Sequence, residues 1–136
     1  MFDKNLSSWE LPEKIVEDFN QKGIVELFPW QVECLSKPGV FDYGRNLVFS
    51  APTSAGKTLV SDILLFKNVL QRKKKTIVIL PFVSITQEKV QSVKHLYRKI
   101  GIRIDSFTGC SNPQGGLDQV DVAICTIEKA NNIINR

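Results

Sequence analysis

The chain is poor in the residues that build metal centres and covalent frameworks: 136 residues hold three cysteines and one histidine. Cys34, Cys110 and Cys125 form no C-x-x-C pair and have no histidine cluster near them. That spacing excludes the common zinc sites and a disulfide scaffold, and Cys34 and Cys125 read as small buried hydrophobes. His95, flanked by Lys94, Leu96 and Tyr97 in a helical stretch, has no partners for acid–base or metal chemistry. No apolar run approaches the length needed to span a bilayer. The N-terminus lacks the basic-then-apolar layout of a secretory leader, so an intracellular protein is expected. Internal repeats and low-complexity segments are also absent. Charge of one sign is in short supply: the net charge of +4 permits a polyanionic partner without requiring one. The densest basic run, Arg72-Lys73-Lys74-Lys75, stands where a helix ends and a strand begins, and reads first as a solvated cap on the helix dipole.

What remains is an ordinary globular composition, 43% hydrophobic and 24% charged, in a chain that is one domain or part of one. Residues 12–22 predict a short helix with Pro12 at its start, Ile15, Val16 and Phe19 on one face, and Gly23 as its stop. A second short helix is expected at 30–35. Four β-type runs follow at 47–50, 76–80, 102–107 and 121–126, the first two continuous and apolar as in strands buried on both faces. Helices are expected at 57–71, at 85–99 with a Ser84/Gln87 capping box and Gly101 as terminator, and from Ile127 onward. The segment 112–116, Asn-Pro-Gln-Gly-Gly, reads as a loop. Alternation of strand and helix predicts an α/β fold with a parallel sheet and flanking helices.

The most informative segment is Ala51-Pro52-Thr53-Ser54-Ala55-Gly56-Lys57-Thr58. A β-type run, a tight loop ending in Gly-Lys-Thr, and a helix together give the context of a phosphate-binding loop. Backbone N–H groups of the loop and helix N-terminus converge on a polyphosphate. Lys57 would reach the terminal phosphates, and Thr58 would place its hydroxyl on Mg²⁺. Ala51 stands where the strict pattern has its first glycine. About twenty residues upstream, in Phe28-Pro29-Trp30-Gln31, the Gln31 amide has the donor–acceptor pair that reads adenine. Leu80-Pro81-Phe82-Val83-Ser84, Thr108-Gly109 and Thr126-Ile127-Glu128-Lys129 each follow a predicted strand, on the edge where open α/β sheets bind ligands. Hydroxyls of Ser84 and Thr86 and free helix N–H groups there suit a nucleic-acid phosphate. Taken singly, each of these turns is equally well an ordinary helix cap.

The ordered set Phe28–Gln31, Ala51–Thr58, Leu80–Lys89, Thr108-Gly109 and Thr126–Ala130 resembles the first half of a superfamily 2 DNA helicase motor of the polymerase-theta helicase-like type, over roughly residues 24–136. That resemblance implies a RecA-like domain over 24–136, preceded by a helical lead-in over 1–23. It implies ATP and Mg²⁺ as cofactors, with Gln31, Thr53, Ser54, Ala55, Gly56, Lys57 and Thr58 contacting nucleotide, Lys57 and Thr58 in catalytic roles and Thr58 on the metal. It assigns Pro81, Phe82, Val83, Thr108, Gly109, Thr126, Glu128 and Lys129 to a single DNA strand or partly unwound DNA. A nuclear protein in DNA repair, with the remainder of the motor in a longer parent, is also implied. The family's acidic Asp-Glu-x-His motif is expected soon after Asn135 and the second motor domain with its arginine finger later still, so the 136-residue chain is expected to bind nucleotide without hydrolysing it at a useful rate. Two other classes compete. A non-catalytic nucleic-acid-binding or regulatory module would keep the loop as a scaffold. A small-molecule kinase would explain Gly-Lys-Thr but not Gln31 or the strand-end turns.

Overall fold

The computed structural model describes residues 3–51, 56–109 and 115–134. It divides into two compact units, Met1–Arg72 and Lys73–Arg136.

In the first unit a 3₁₀ turn, Leu6–Trp9, precedes α1 (Glu13–Gln21), α2 (Pro29–Leu35), α3 (Val40–Tyr43) and α4 (Lys57–Phe66), which continues as a π-helical segment, Lys67–Gln71. Helix α1 forms as expected and buries Ile15 and Phe19. It ends where Gly23 takes the left-handed conformation at φ +85° that a side chain resists. Trp9 is fully buried with its ring edge-on to Phe41, centroids 5.1 Å apart. Lys67 lies over the same Phe41 ring and pairs with Glu10. Its stem is packed while its charge is satisfied. Helix α4 and its extension bury Leu59, Val60, Ile63, Leu65, Phe66 and Val69, as a nearly all-round apolar pattern requires.

The strand expected at 47–50 does not form. Val48 is 97% exposed, and this stretch has no ladder partner among the described residues. What holds it is a side-chain contact: Phe49 packs on Trp30 at 5.8 Å between centroids. An apolar run is a strand only when a neighbour takes up its backbone hydrogen bonds.

The second unit holds β1 (Thr76–Leu80), α5 (Val83–Lys99), β2 (Ile104–Phe107), a 3₁₀ turn Gly116–Gln119, β3 (Val122–Thr126) and α6 (Ile127–Ile134). All strands are parallel, in the order β1-β3-β2. Leu80 stands opposite Thr126, and Phe107 opposite Cys125. The central strand is the last in sequence, and it is the one that is buried: Val122, Ala123, Ile124 and Cys125 are all essentially inaccessible. Strand β1 was expected to be buried on both faces; as an edge strand it is only half-buried, with Ile79 exposed. Phe107, Ala123, Cys125 and Ala130 of α6 form one core cluster. The alternate residues of β3 point to the other face, which α5 covers with Val90, Val93 and Tyr97. Helix α5 begins at Val83 with Phe82 as N-cap, two residues before the Ser84 of the expected Ser84/Gln87 box. Thr86 is buried and its hydroxyl donates to the Val83 carbonyl at 2.7 Å, so it is not available to a phosphate. Cys34 is half-buried rather than buried, whereas Cys125 is fully enclosed and burial pushes its thiol pKa up, with Lys129 pulling more weakly downward.

Candidate nucleotide and nucleic acid sites

The nucleotide-site candidates in the first unit are organised by one amide. Gln31 is the third residue of α2 and only 2% exposed. Its Oε1 accepts from the Phe28 N–H at 2.7 Å, satisfying one of the orphan donors at the helix start. Its Nε2 donates to the Gly56 carbonyl at 2.8 Å, across 25 residues of chain. The fit is close enough that a Cβ on Gly56 would stand 2.7 Å from Nε2. Gly56 is at φ +81°, the left-handed conformation open to glycine, and acts as N-cap of α4. Lys57 and Thr58 are therefore the first two residues of a ten-residue helix, Lys57 half-buried and Thr58 exposed. By amide chemistry these two bonds use one lone pair of Oε1 and one hydrogen of Nε2, half of what the group can offer. The predicted contacts Thr53, Ser54 and Ala55 lie outside the described residues.

The nucleic-acid candidates gather on the second unit. Because the sheet is parallel and in register, Pro81-Phe82-Val83 and Thr108-Gly109 follow strand C-termini along the same edge where Thr126 ends β3. Phe82 is 63% exposed and Ile127 64%, unusual for large apolar side chains. Glu128 sits in the first turn of α6, exposed, where the helix dipole favours it, and Lys129 is half-buried. Thr108 is fully buried, so its side chain supports the turn while Gly109 is exposed. Residues 47–50 form no strand in this sheet, and the common edge is seen here for the three turns of the second unit.

Sequence reasoning missed the internal commitment of Gln31, which no local pattern encodes, and the clamp at the opposite end of the sheet. There the Asp121 carboxylate accepts from the Arg103 N–H at 2.8 Å, from Nε at 3.3 Å and from a terminal guanidinium nitrogen at 3.1 Å. The hydrogen bonds from Arg103, outweighing partial burial, hold the Asp121 pKa below the usual carboxylate value, and the same pair raises Arg103. Among the described residues no group of three or more His, Cys, Asp or Glu could hold a metal. No helix of the described residues is long and apolar enough to cross a membrane.

Comparison with known proteins agrees with this geometry. The model of the DEAD/DEAH box helicase family matches residues 31–136. DNA polymerase theta of Drosophila melanogaster is 51% identical over 133 residues, 98% of this chain and 6% of that protein. The ATP-dependent DNA helicase Hel308 of Thermococcus kodakarensis is 34% identical over 128 residues, 92% of this chain and 11% of that one. The solved structure of the DUF1998 helicase MrfA bound to DNA superposes with a TM-score of 0.67 at 20% identity, covering 85% of this chain and 17% of that chain, which shows a shared RecA-like fold. The chain thus spans a small fraction of the length of the curated relatives it matches. With the Gly-Lys-Thr helix start, the parallel sheet and a family match over most of its length, this chain belongs to the DEAD/DEAH box helicases.

Proposed function

We propose that the chain is the ATP- and single-strand-contacting part of an ATP-dependent DNA helicase motor. The observation that carries this reading is the Gln31 amide joined to the Gly56 carbonyl at the head of the Lys57–Thr58 helix. A residue chemically suited to adenine is physically tied to the element suited to phosphate. Lys57 meets the terminal phosphates, Thr58 holds Mg²⁺ with them, and Gln31 presents its remaining donor and acceptor to the base. The bound Mg²⁺ supplies charge neutralisation of the phosphates. Pro81, Phe82, Val83, Gly109, Thr126, Glu128 and Lys129 face the strand, with Thr108 supporting from beneath. Such contacts position DNA without reading its sequence. Neither Asp121 nor Glu128 supplies the acid that sets up an attacking water: Asp121 is committed to Arg103 before β3 begins, and Glu128 lies in the first turn of α6. This reading gives the segment nucleotide binding, with neither of these two acids placed to set up hydrolysis.

Titration with Mg·ATP and Mg·GTP tests the reading. Lys57→Ala should abolish binding of both, whereas Gln31→Ala should weaken ATP more than GTP. Equal losses for the two nucleotides, or no ATP binding by the wild-type chain, would refute it. The non-catalytic scaffold reading predicts instead DNA binding that ignores both ATP and Lys57→Ala.

A further inference from the structure

The basic excess of this protein is unevenly placed. Residues 1–72 carry eight Lys or Arg against nine Asp or Glu, whereas residues 73–136 carry ten against five. The second unit alone accounts for the net charge of +4 and more. Within it the cations collect at one end of the sheet. Parallel strands share a starting edge, and the crossover helix α5 returns to that edge, so Lys74, Lys75, Lys94, Arg98, Lys99 and Arg103 are brought together there from three stretches of chain. A half-open pocket of about 170 Å³ marks the spot, with Lys94, Arg98 and Arg103 on its wall and Ile102, Ile104 and Val120 beneath. Lys75 donates to the carbonyl of the same Val120 at 2.6 Å, which ties the start of β1 to the pocket.

Two of the three acids nearby are already used, and the third, Asp118, is exposed in the turn before β3. Asp121 is taken by Arg103, and Asp105 lies 3.9 Å from Lys94. Lys73, Lys74, Arg98 and Lys99 are exposed and, among the described residues, have no carboxylate partner. The dipole of α5 favours Arg98 and Lys99 at its last turn, but it does not account for cations contributed by β1 and β2 to the same edge.

We propose that this strand-start edge is a second polyanion surface, which takes the phosphate backbone of a nucleic-acid duplex. It is distinct from the strand-end edge: five strand residues separate the two by about 17 Å. The chemistry of the two edges differs in the way that separates duplex from single strand. Large exposed apolar side chains, Phe82, Val83, Ile85 and Ile127, cluster at or just beyond the strand ends, where unstacked bases need a platform. At the strand-start edge no Phe, Tyr or Trp side chain is exposed among the described residues of this unit, Tyr97 being buried, and the one exposed ring on that stretch of α5 is the small imidazole of His95. Cations without stacking platforms recognise backbone charge alone, which a duplex presents at one charge per about 1.7 Å. An acidic peptide is disfavoured because the cations sit on separate elements around a shallow pocket rather than along an extended groove.

The test measures binding of a 20-base-pair fluorescent duplex by the full chain across a salt series. Arg98→Glu/Lys99→Glu should lower affinity roughly tenfold or more and reduce the slope of log K against log[salt] by about 2, the value for two lost phosphate contacts. Lys14→Glu/Lys37→Glu makes the same change in net charge on exposed residues of the first unit and should leave the slope within experimental error. Arg98→Gln/Lys99→Gln, which puts no anion at the helix end, should lose slope in the same direction and covers the case in which the Glu pair fails to fold. An unchanged slope in the Gln pair, equal losses in the control pair, or tighter binding of polyglutamate than of duplex overturns the proposal. Single-stranded oligonucleotide binding, lost on Phe82→Ala but kept in Arg98→Gln/Lys99→Gln, reports on the strand-end edge separately. Absence of single-strand binding would therefore sink the proposed function without deciding this surface.

Discussion

Replacing Gln31 by Glu separates the two jobs of its amide. Glutamate keeps an oxygen for the Phe28 N–H, now 2.7 Å away in Gln31, so the start of α2 stays capped and gains a charge-assisted bond. It loses the donor to the Gly56 carbonyl, 2.8 Å away, and sets a carboxylate against that carbonyl. One net hydrogen bond is worth about 1 kcal/mol, and a buried acceptor left without its donor costs about 1–3 kcal/mol. Because the site is 2% exposed, water does not fully compensate, and a loss of about 2 kcal/mol is expected for the first unit. For a unit of this size each kcal/mol moves the midpoint by roughly 4–8 °C, so its thermal transition should fall by about 10 °C. Gln31→Ala removes both bonds and should fall further. Differential scanning calorimetry reads the midpoints, and Mg·ATP titration of the same samples reads the loop. If Gln31→Glu melts with the wild type and binds ATP equally well, the tie between α2 and the phosphate loop has no energetic content and the reasoning fails.

Gly56→Ala should be costlier than Gly23→Ala although both glycines have φ above +80°: the Gly56 Cβ meets Gln31 Nε2 at 2.7 Å while Gly23 has nothing within 4 Å. Gly23→Ala should therefore lose only the left-handed penalty of about 1–2 kcal/mol in a urea melt, and equal costs at the two sites would contradict the packing. Trp9→Ala should destabilise the first unit by about 3–5 kcal/mol in the same assay, since a fully buried ring on Phe41 is removed. A near-neutral result would show that the N-terminal turn is dispensable. Asp121 has a folded pKa below its unfolded value of about 3.9. Its contribution is therefore complete above that unfolded value and is lost as pH falls through the lower, folded one. Asp121→Asn should flatten the acid limb of stability below about pH 4, and an unaltered limb would remove Arg103 as the cause.

Much of the fold was legible because the signals are local. Helices α1, α4 and α5 and strand β1 follow from side-chain periodicity and from Gly23 and Gly101 as stops, and the observed bounds differ from expectation by a residue or two. The phosphate-loop signature is equally local, since Gly56, Lys57 and Thr58 must be adjacent to act together. Two readings failed where a local pattern depends on a distant partner. Residues 47–50 have strand chemistry without a strand neighbour, and the Ser84/Gln87 box was bypassed because Thr86 bonds back to Val83 and the helix starts earlier. The alternative between Leu96 and Tyr97 on α5 was open in sequence, and burial chooses Tyr97.

By itself the sequence determined which segments are helical or extended, where the Gly-Lys-Thr turn meets its helix, and the family to which the chain belongs, because each of these is written in runs of neighbouring residues. The tertiary structure alone decided that the last strand lies in the centre of the sheet, that the amide of Gln31 spans to Gly56, and that cations from three stretches share one edge. Those features depend on which distant residues meet, and that is settled by burial and by the pairing of backbone hydrogen bonds once the whole chain has packed.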